Sequence, residues 1–255
     1  MIVDLTGWGH LRVRGSDRVR FLQGLTTINV EALAPGGHTW GAILSPKGRV
    51  LSVIEMTRSD EDLLVHCEPG LLDKTRALLD RYAVMDDVTF EILDTPAHKT
   101  WTSPAQVWQA PMVLAPPPSP PAAAAEVEAL RVEAGLVRYG VDVGEDHFPF
   151  ETPLAAFLDY QKGCYVGQEP VFRVHARGQA ARTLRGLRLT GDALAPGGAV
   201  VAHAARADAG HVTSSAMSPR LGSIALAYLH RTTWDVGGEV EVDGRRATVV
   251  ELPMT

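Results

Sequence analysis

The sequence predicts an α+β domain followed by a small β-barrel, and three observations carry that reading. Between residues 39 and 92, apolar alternation and one helical repeat give the order β-β-β-α-β with short links, which argues a mixed sheet rather than a doubly wound one. A proline- and alanine-rich stretch, Ala115-Pro116-Pro117-Pro118-Ser119-Pro120-Pro121 and the alanines after it, then interrupts the pattern. Beyond Arg182 the character changes to short apolar runs separated by glycine turns. The expected division is therefore a domain over 1–185, with an exposed linker at 111–125 inside it, and a barrel over 186–255.

The elements follow in order. Ser16-Asp17 reads as a cap for a short helix through Leu22. Thr39 to Leu44 and Val50 to Met56 read as strands joined by Ser45-Pro46-Lys47-Gly48-Arg49, where proline and glycine suit a tight connection. Leu63 to Cys67 is a third strand. After Pro69-Gly70, the residues Leu71, Leu72, Thr75, Leu78, Leu79 and Tyr82 recur at helical spacing. Val88, Phe90 and Ile92 alternate as a strand. Glu126 to Ala134 reads as a helix with Gly135 placed to end it. Leu184 to Leu189, Gly222 to Leu229, Glu239 to Val242 and Ala247 to Leu252 read as barrel strands. Asp243-Gly244 between the last two is a hairpin signal.

Composition narrows the function. A formal net charge of -6 argues against a general nucleic-acid binder, for which a basic domain is expected. Met1 to Leu11 holds charge and glycine but no long apolar run, so no signal peptide is expected. No stretch approaches about 18 uninterrupted apolar residues, so no membrane helix is expected. The two cysteines, Cys67 and Cys164, are expected as thiols in a reducing cytoplasm, with Cys67 a buried small hydrophobe in its strand. The histidines show neither HxxxH nor CxxC-type spacing, so no metal site built by this chain alone is expected.

Three clusters are candidates for chemistry. In Lys162-Gly163-Cys164-Tyr165-Val166-Gly167-Gln168-Glu169, two glycines flank a thiol; Lys162 is placed to lower its pKa, and Gln168 and Glu169 offer acceptors. The alternative is a glycine-rich turn whose cysteine merely packs. Asp142 and Glu151 lie in loop-like sequence after Arg131, where carboxylates can accept from the donor edge of a heterocycle or simply face water. Lys47 and Arg49 flank a glycine at a hairpin tip, a pattern that suits an anion but is also common on surfaces.

Together, Arg18-Val19-Arg20-Phe21-Leu22-Gln23-Gly24-Leu25-Thr26-Thr27, Ser45-Pro46-Lys47-Gly48-Arg49-Val50-Leu51, Arg131-Val132-Glu133-Ala134-Gly135 and the Cys164 motif resemble the YgfZ family. These are folate-binding proteins related to the T-protein, the aminomethyltransferase of the glycine cleavage system. The resemblance implies two similar halves around a central opening, then a Greek-key barrel. It implies tetrahydrofolate as ligand and a role with iron–sulfur assembly or client proteins. By match to the motif it assigns Lys162, Gly163, Cys164, Tyr165, Gly167, Gln168, Glu169 and Arg173 to that role, with Cys164 the functional thiol. It also sets Arg131 and Glu151 near the folate and Lys47 and Arg49 near its glutamate tail.

The departures shape the expected activity. Where aminomethyltransferases carry a catalytic aspartate after the glycine turn, this chain has Val50-Leu51-Ser52-Val53. The stretch Trp101 to Trp108 has no acid where those enzymes carry a pterin-binding glutamate in a GYTGE-type segment. Thr26-Thr27-Ile28-Asn29 replaces the usual Thr-Thr-Asn-Asp, and Phe172 stands where many members have a small residue. The expectation is a tetrahydrofolate-binding accessory protein rather than a classical aminomethyltransferase. The alternatives are a one-carbon enzyme with a substitute base, Glu55 or Asp142, and a partner in tRNA modification.

Overall fold

Five segments alternate apolar residues between two faces, and the resulting sheet divides the first part of the chain into two cores. The computed structural model describes residues 1–178 and 180–255. In chain order it forms β1 (Ile2–Asp4), β2 (Gly9–Arg14), α1 (Arg18–Leu25), β3 (His38–Leu44), β4 (Val50–Arg58), β5 (Leu63–Cys67), α2 (Leu72–Tyr82), β6 (Thr89–Ile92) and β7 (His98–Thr100). Strands β3-β4-β5-β2-β6 make one antiparallel sheet, and β1 pairs with β7 in a second of two strands. One face of the larger sheet sends Leu11, Val13, Ile43, Ile54, Met56, Leu63 and Val65 against Phe21, Leu22 and Leu79 of the helices. The other face sends Trp40, Ala42, Leu44 and Val53 into the central core with Trp101, Trp108 and Val132.

The chain returns through α3 (Ala124–Ala134), 3-10 turns at Pro149–Glu151 and Pro153–Phe157, and α4 (Gln168–Arg177). Then come β8 (Arg182–Leu189), β9 (Val200–His203), β10 (Arg206–Ser218), β11 (Gly222–His230), β12 (Glu239–Val242) and β13 (Arg245–Val250). These close into a barrel in the order β10-β11-β8-β13-β12-β9. β8 lies beside β11 instead of β9, so the meander β9-β10-β11 is flanked by the strand that precedes it, a Greek key. Leu187, Val201, Val212, Ala225, Val242 and Val249 fill the barrel. Leu184, Ile224, Leu226 and Tyr228 instead face outward into the central core and join the barrel to the first domain.

Several local expectations change. Asp17 stands at the start of α1 but makes no side-chain cap; its carboxylate accepts from Asp87 N at 2.9 Å, while Ser16 donates to Asp87 Oδ2. The pair thus clasps the turn before β6. Two of the linker alanines, Ala124 and Ala125, open α3, and Met112 and Val113 are tied down, the latter exchanging backbone bonds with His98. Strands β1, β2, β7, β9 and β10 were not expected from the sequence. Gly135 ends α3 at φ 68°, and Asp243-Gly244 turns with φ 50° and 73°, both as the glycine placement predicts. No helix among the described residues is long and apolar enough to cross a membrane.

β10 contains a glycine that the barrel requires. A Cβ on Gly210 would stand 1.8 Å from the Tyr228 carbonyl oxygen, a backbone atom of the paired strand. Gly210→Ala is therefore expected to cost about 1–3 kcal/mol; a denaturant midpoint within error of wild type would contradict this packing.

Candidate functional site

The Cys164 motif is a docking device that leaves its thiol outside. Lys162 is buried and donates from Nζ to the carbonyls of Gln23 and Thr26 at 2.6 Å each, while Gln23 Nε2 donates to the Lys162 carbonyl at 2.7 Å. The ammonium thereby satisfies carbonyls left open at the C-terminus of α1, where the helix dipole favours a cation. Burial nevertheless pushes its pKa down to about 7. Gly167, at φ 80°, lies where a Cβ would come 2.3 Å from the Ser45 carbonyl, so the motif seats directly on the β3–β4 tip. Cys164 is exposed.

This corrects several sequence expectations. Lys162 is committed to carbonyls and not to the thiol. Gln168 Oε1 accepts from Tyr165 N at 2.8 Å, and the buried Tyr165 ring lies under the Lys162 ammonium. Glu169 pairs with Arg173 at 2.6 Å on the surface of α4. At the hairpin tip, Lys47 is exposed, but Arg49 donates to the Asp146 carbonyl at 2.8 Å and stacks 3.8 Å over Phe148. Arg49 is thus partly engaged by the neighbouring loop, while Lys47 points away from the fold's interior.

Arg131, Asp142 and Glu151 also have partners. Arg131 bonds Glu128 through Nε and Nη2, the Leu136 carbonyl and Asp142 through Nη1, and Ser214 through Nη2. Those contacts use all five of its donors. Asp142 is fully buried and accepts from Arg131, Arg138 N, Thr213 and Ser214. Glu151 accepts from Phe148 N and pairs with Arg182 at 3.1 Å. Both acids are struts between the first domain and the barrel.

A cavity of about 350 Å³ lies beside this framework, with Trp8, Trp40, Trp101, Tyr139, Glu68 and Lys99 in its wall, together with the Arg131 side chain. Trp8 and Trp40 meet edge to face at 6.3 Å, and Trp40 is fixed by donating to the Trp108 carbonyl at 2.9 Å. Beneath the wall, one cross-strand row of the sheet reads Trp40, Glu55, His66, His10. Glu55 Oε2 lies 2.6 Å from Lys99 Nζ, and both side chains are buried. His10 and His66 share a proton between their Nδ1 atoms at 2.9 Å, and burial holds His66 down at about 3, hence neutral. Glu68, half-buried, accepts from Tyr139 N at 2.6 Å, and burial pushes its carboxyl up to about 7. Of the sequence candidates, the cavity wall includes Arg131 alone. The aromatic wall was missed because its members are scattered through the chain; Glu68 carried a faint signal, an acid between a strand and a Pro-Gly turn.

The Glu55–Lys99 pair generates a stability test. Lys99→Met leaves a buried carboxylate without its cation and is expected to cost roughly 3–5 kcal/mol, whereas Lys99→Met with Glu55→Leu recovers most of that. Equal losses from the single and double variants in urea unfolding would contradict the pairing.

The architecture is that of the aminomethyltransferases. The structure superposes on aminomethyltransferase T of the glycine cleavage system from Bartonella henselae with a TM-score of 0.83, covering 100% of this chain and 86% of that one at 18% identity. Residues 182–255 match the glycine cleavage T-protein C-terminal barrel domain. An aminomethyltransferase from Herpetosiphon aurantiacus is 36% identical over 131 residues, 49% of this chain and 36% of that protein. The tRNA-modifying protein YgfZ from Hamiltonella defensa is 34% identical over 94 residues, 37% of this chain and 28% of that protein. An uncharacterized protein from Haemophilus influenzae is 25% identical over 218 residues, 71% of each. The chain thus matches about a third of the length of these named relatives. Residues 182–255 thus match the T-protein C-terminal barrel domain, and the whole chain shares the fold of an aminomethyltransferase.

Proposed function

We propose that the chain binds a reduced folate in the tryptophan-lined cavity and serves, without turning the ligand over, as a cytoplasmic accessory to the assembly or repair of iron–sulfur clusters. The cavity carries this reading. Its volume of about 350 Å³ falls in the range of small-molecule sites. Its indole walls suit a flat heterocycle, and Glu68 supplies an acceptor for the ring's N–H groups. A reduced folate bound there would supply nitrogen atoms, one in its ring and one on the adjoining bridge, that can carry a one-carbon unit. The residues' part is to hold and orient that ring between Trp8, Trp40 and Trp101.

The same geometry disfavours turnover. Val53 occupies the face of β4 where the missing aspartate would be sought, and Glu55 farther along that face is sealed against Lys99. Asp142 is saturated with donors. No substitute base named from the sequence is therefore free for proton transfer.

Cys164 supports the iron–sulfur part of the proposal, because its thiol is presented outward on a rigid mount. Clusters take four protein ligands, so a single thiol acts together with a partner's ligands. Both cysteines are free, which suits a reducing compartment. The tRNA-modifying relative supports a second reading as a partner in tRNA modification. With a net charge of -6, that role is better served through protein contact than direct RNA binding.

An anaerobic thermal melt tests the ligand. Tetrahydrofolate at about 100 times its dissociation constant is expected to raise the melting temperature by roughly 5–10 °C; no shift at millimolar ligand overturns folate binding. Cys164→Ser is expected to keep the melting temperature while abolishing support of iron–sulfur enzyme activity in a deletion strain. Cys67→Ser, in the core, is expected to lose about 1–3 kcal/mol yet retain function at permissive temperature. Equal functional loss at matched stability would remove Cys164 from the mechanism.

A further inference from the structure

Glu68 directly follows β5 on the cavity wall, and its setting differs from that of every acid the sequence singled out. Its Oε2 accepts the Tyr139 backbone N–H at 2.6 Å, which fixes the carboxylate plane. Oε1 has no hydrogen-bond partner among the described residues and is not sealed from solvent. Charged groups face it from several elements: Arg131 on α3, Arg138 and Asp142 on the following loop, and Asp4 and Lys99 on β1 and β7 across the same region. The cations are already engaged, Arg131 with Asp142 and Glu128, Arg138 with Glu128, and Lys99 with Glu55. Glu68 is thus left without an ion-pair partner among the described residues, with acceptor capacity facing the void. A carboxylate has about four lone-pair sites, of which the Tyr139 bond uses one.

The geometry points to Glu68 as the residue that recognises the cavity's ligand, accepting paired N–H groups from the donor edge of an amino-substituted nitrogen heterocycle. This rests on the cavity being the ligand site. It supplies the acid that the stretch from Trp101 to Trp108 lacks, from a different strand end. Two consequences follow. Ligands without the adjacent amino and ring N–H donors lose their recognition. Capture also requires the ionised carboxylate, which burial keeps protonated below about pH 7, so binding strengthens as pH rises through that value.

The test is titration of the full chain with tetrahydrofolate, followed by tryptophan fluorescence, for wild type, Glu68→Gln and Trp8→Ala. For wild type, affinity is expected to fall about tenfold from about pH 8 to about pH 6. Glu68→Gln keeps an oxygen for Tyr139 N but cannot accept two N–H groups. It is expected to bind at least about tenfold more weakly at the higher pH and to lose the slope. A 2-desamino analogue is expected to bind wild type and Glu68→Gln alike. If Trp8→Ala destroys binding while Glu68→Gln changes neither affinity nor slope, the cavity reading stands and the role of Glu68 is overturned. If wild-type affinity does not change with pH, that role is also overturned, with no substitution required. If wild type does not bind, or binding ignores both substitutions, the cavity reading falls and takes this inference with it.

Discussion

The structure depends on one buried guanidinium. Arg131 sits at the end of α3 with five donors and five acceptors, drawn from its own helix, the loop that follows and the barrel strand β10. Desolvating such a group is costly, and only complete pairing offsets the cost. Asp142 provides much of that offset and is itself saturated by Arg138 N, Thr213 and Ser214. Helix, loop and barrel are therefore held at one angle. Because those groups are committed to architecture, the cavity beside them must recognise its ligand with others.

The groups that remain are aromatic walls and one acid above a polar layer. The row of Glu55, His66 and His10 lies on the central face of a sheet whose opposite face is mostly apolar, with Ser52 bonded to Thr75 as a buried polar pair within it. Neutral histidines sharing one proton and a carboxylate beside an ammonium are tolerable under protein, where isolated charges are not. Lys99 Nζ lies 4.7 Å from the centre of the Trp40 ring, so this layer touches the cavity wall directly. The wall of the cavity is thus supported from below by electrostatics as well as packing.

The fold class was legible because β3, β4, β5 and α2 show apolar strand runs or a helical repeat, and because Asp243-Gly244 marks the β12–β13 turn and Gly135 the end of α3. β10 was not legible. Its buried positions are filled by Ala209, Val212, Ser214, Ala216 and Ser218, mostly small or polar, so alternation leaves little hydropathic trace. β2 does alternate over His10-Leu11-Arg12-Val13-Arg14, but with only two large apolar residues the run is too short to stand out. Motif reading located Cys164 and its mount, but residue types alone do not reveal partners. Asp142, Glu151 and Arg131 read as binding groups only while their bonds to the barrel were unseen. The cavity itself joins residues far apart in sequence, which no local pattern reports.

That joining has a consequence for how the molecule is made. β1 contributes to the wall only when Ile2 is opposite Thr100, and Trp101 follows directly from that pairing. Arg131, Arg138 and Tyr139 reach the wall only after α3 has docked against the barrel. Contacts between such distant segments form late, since loop closure must precede any gain from them. The cavity is therefore a coincidence detector of assembly: a molecule able to hold a ligand there has already brought its sheets, α3 and barrel together.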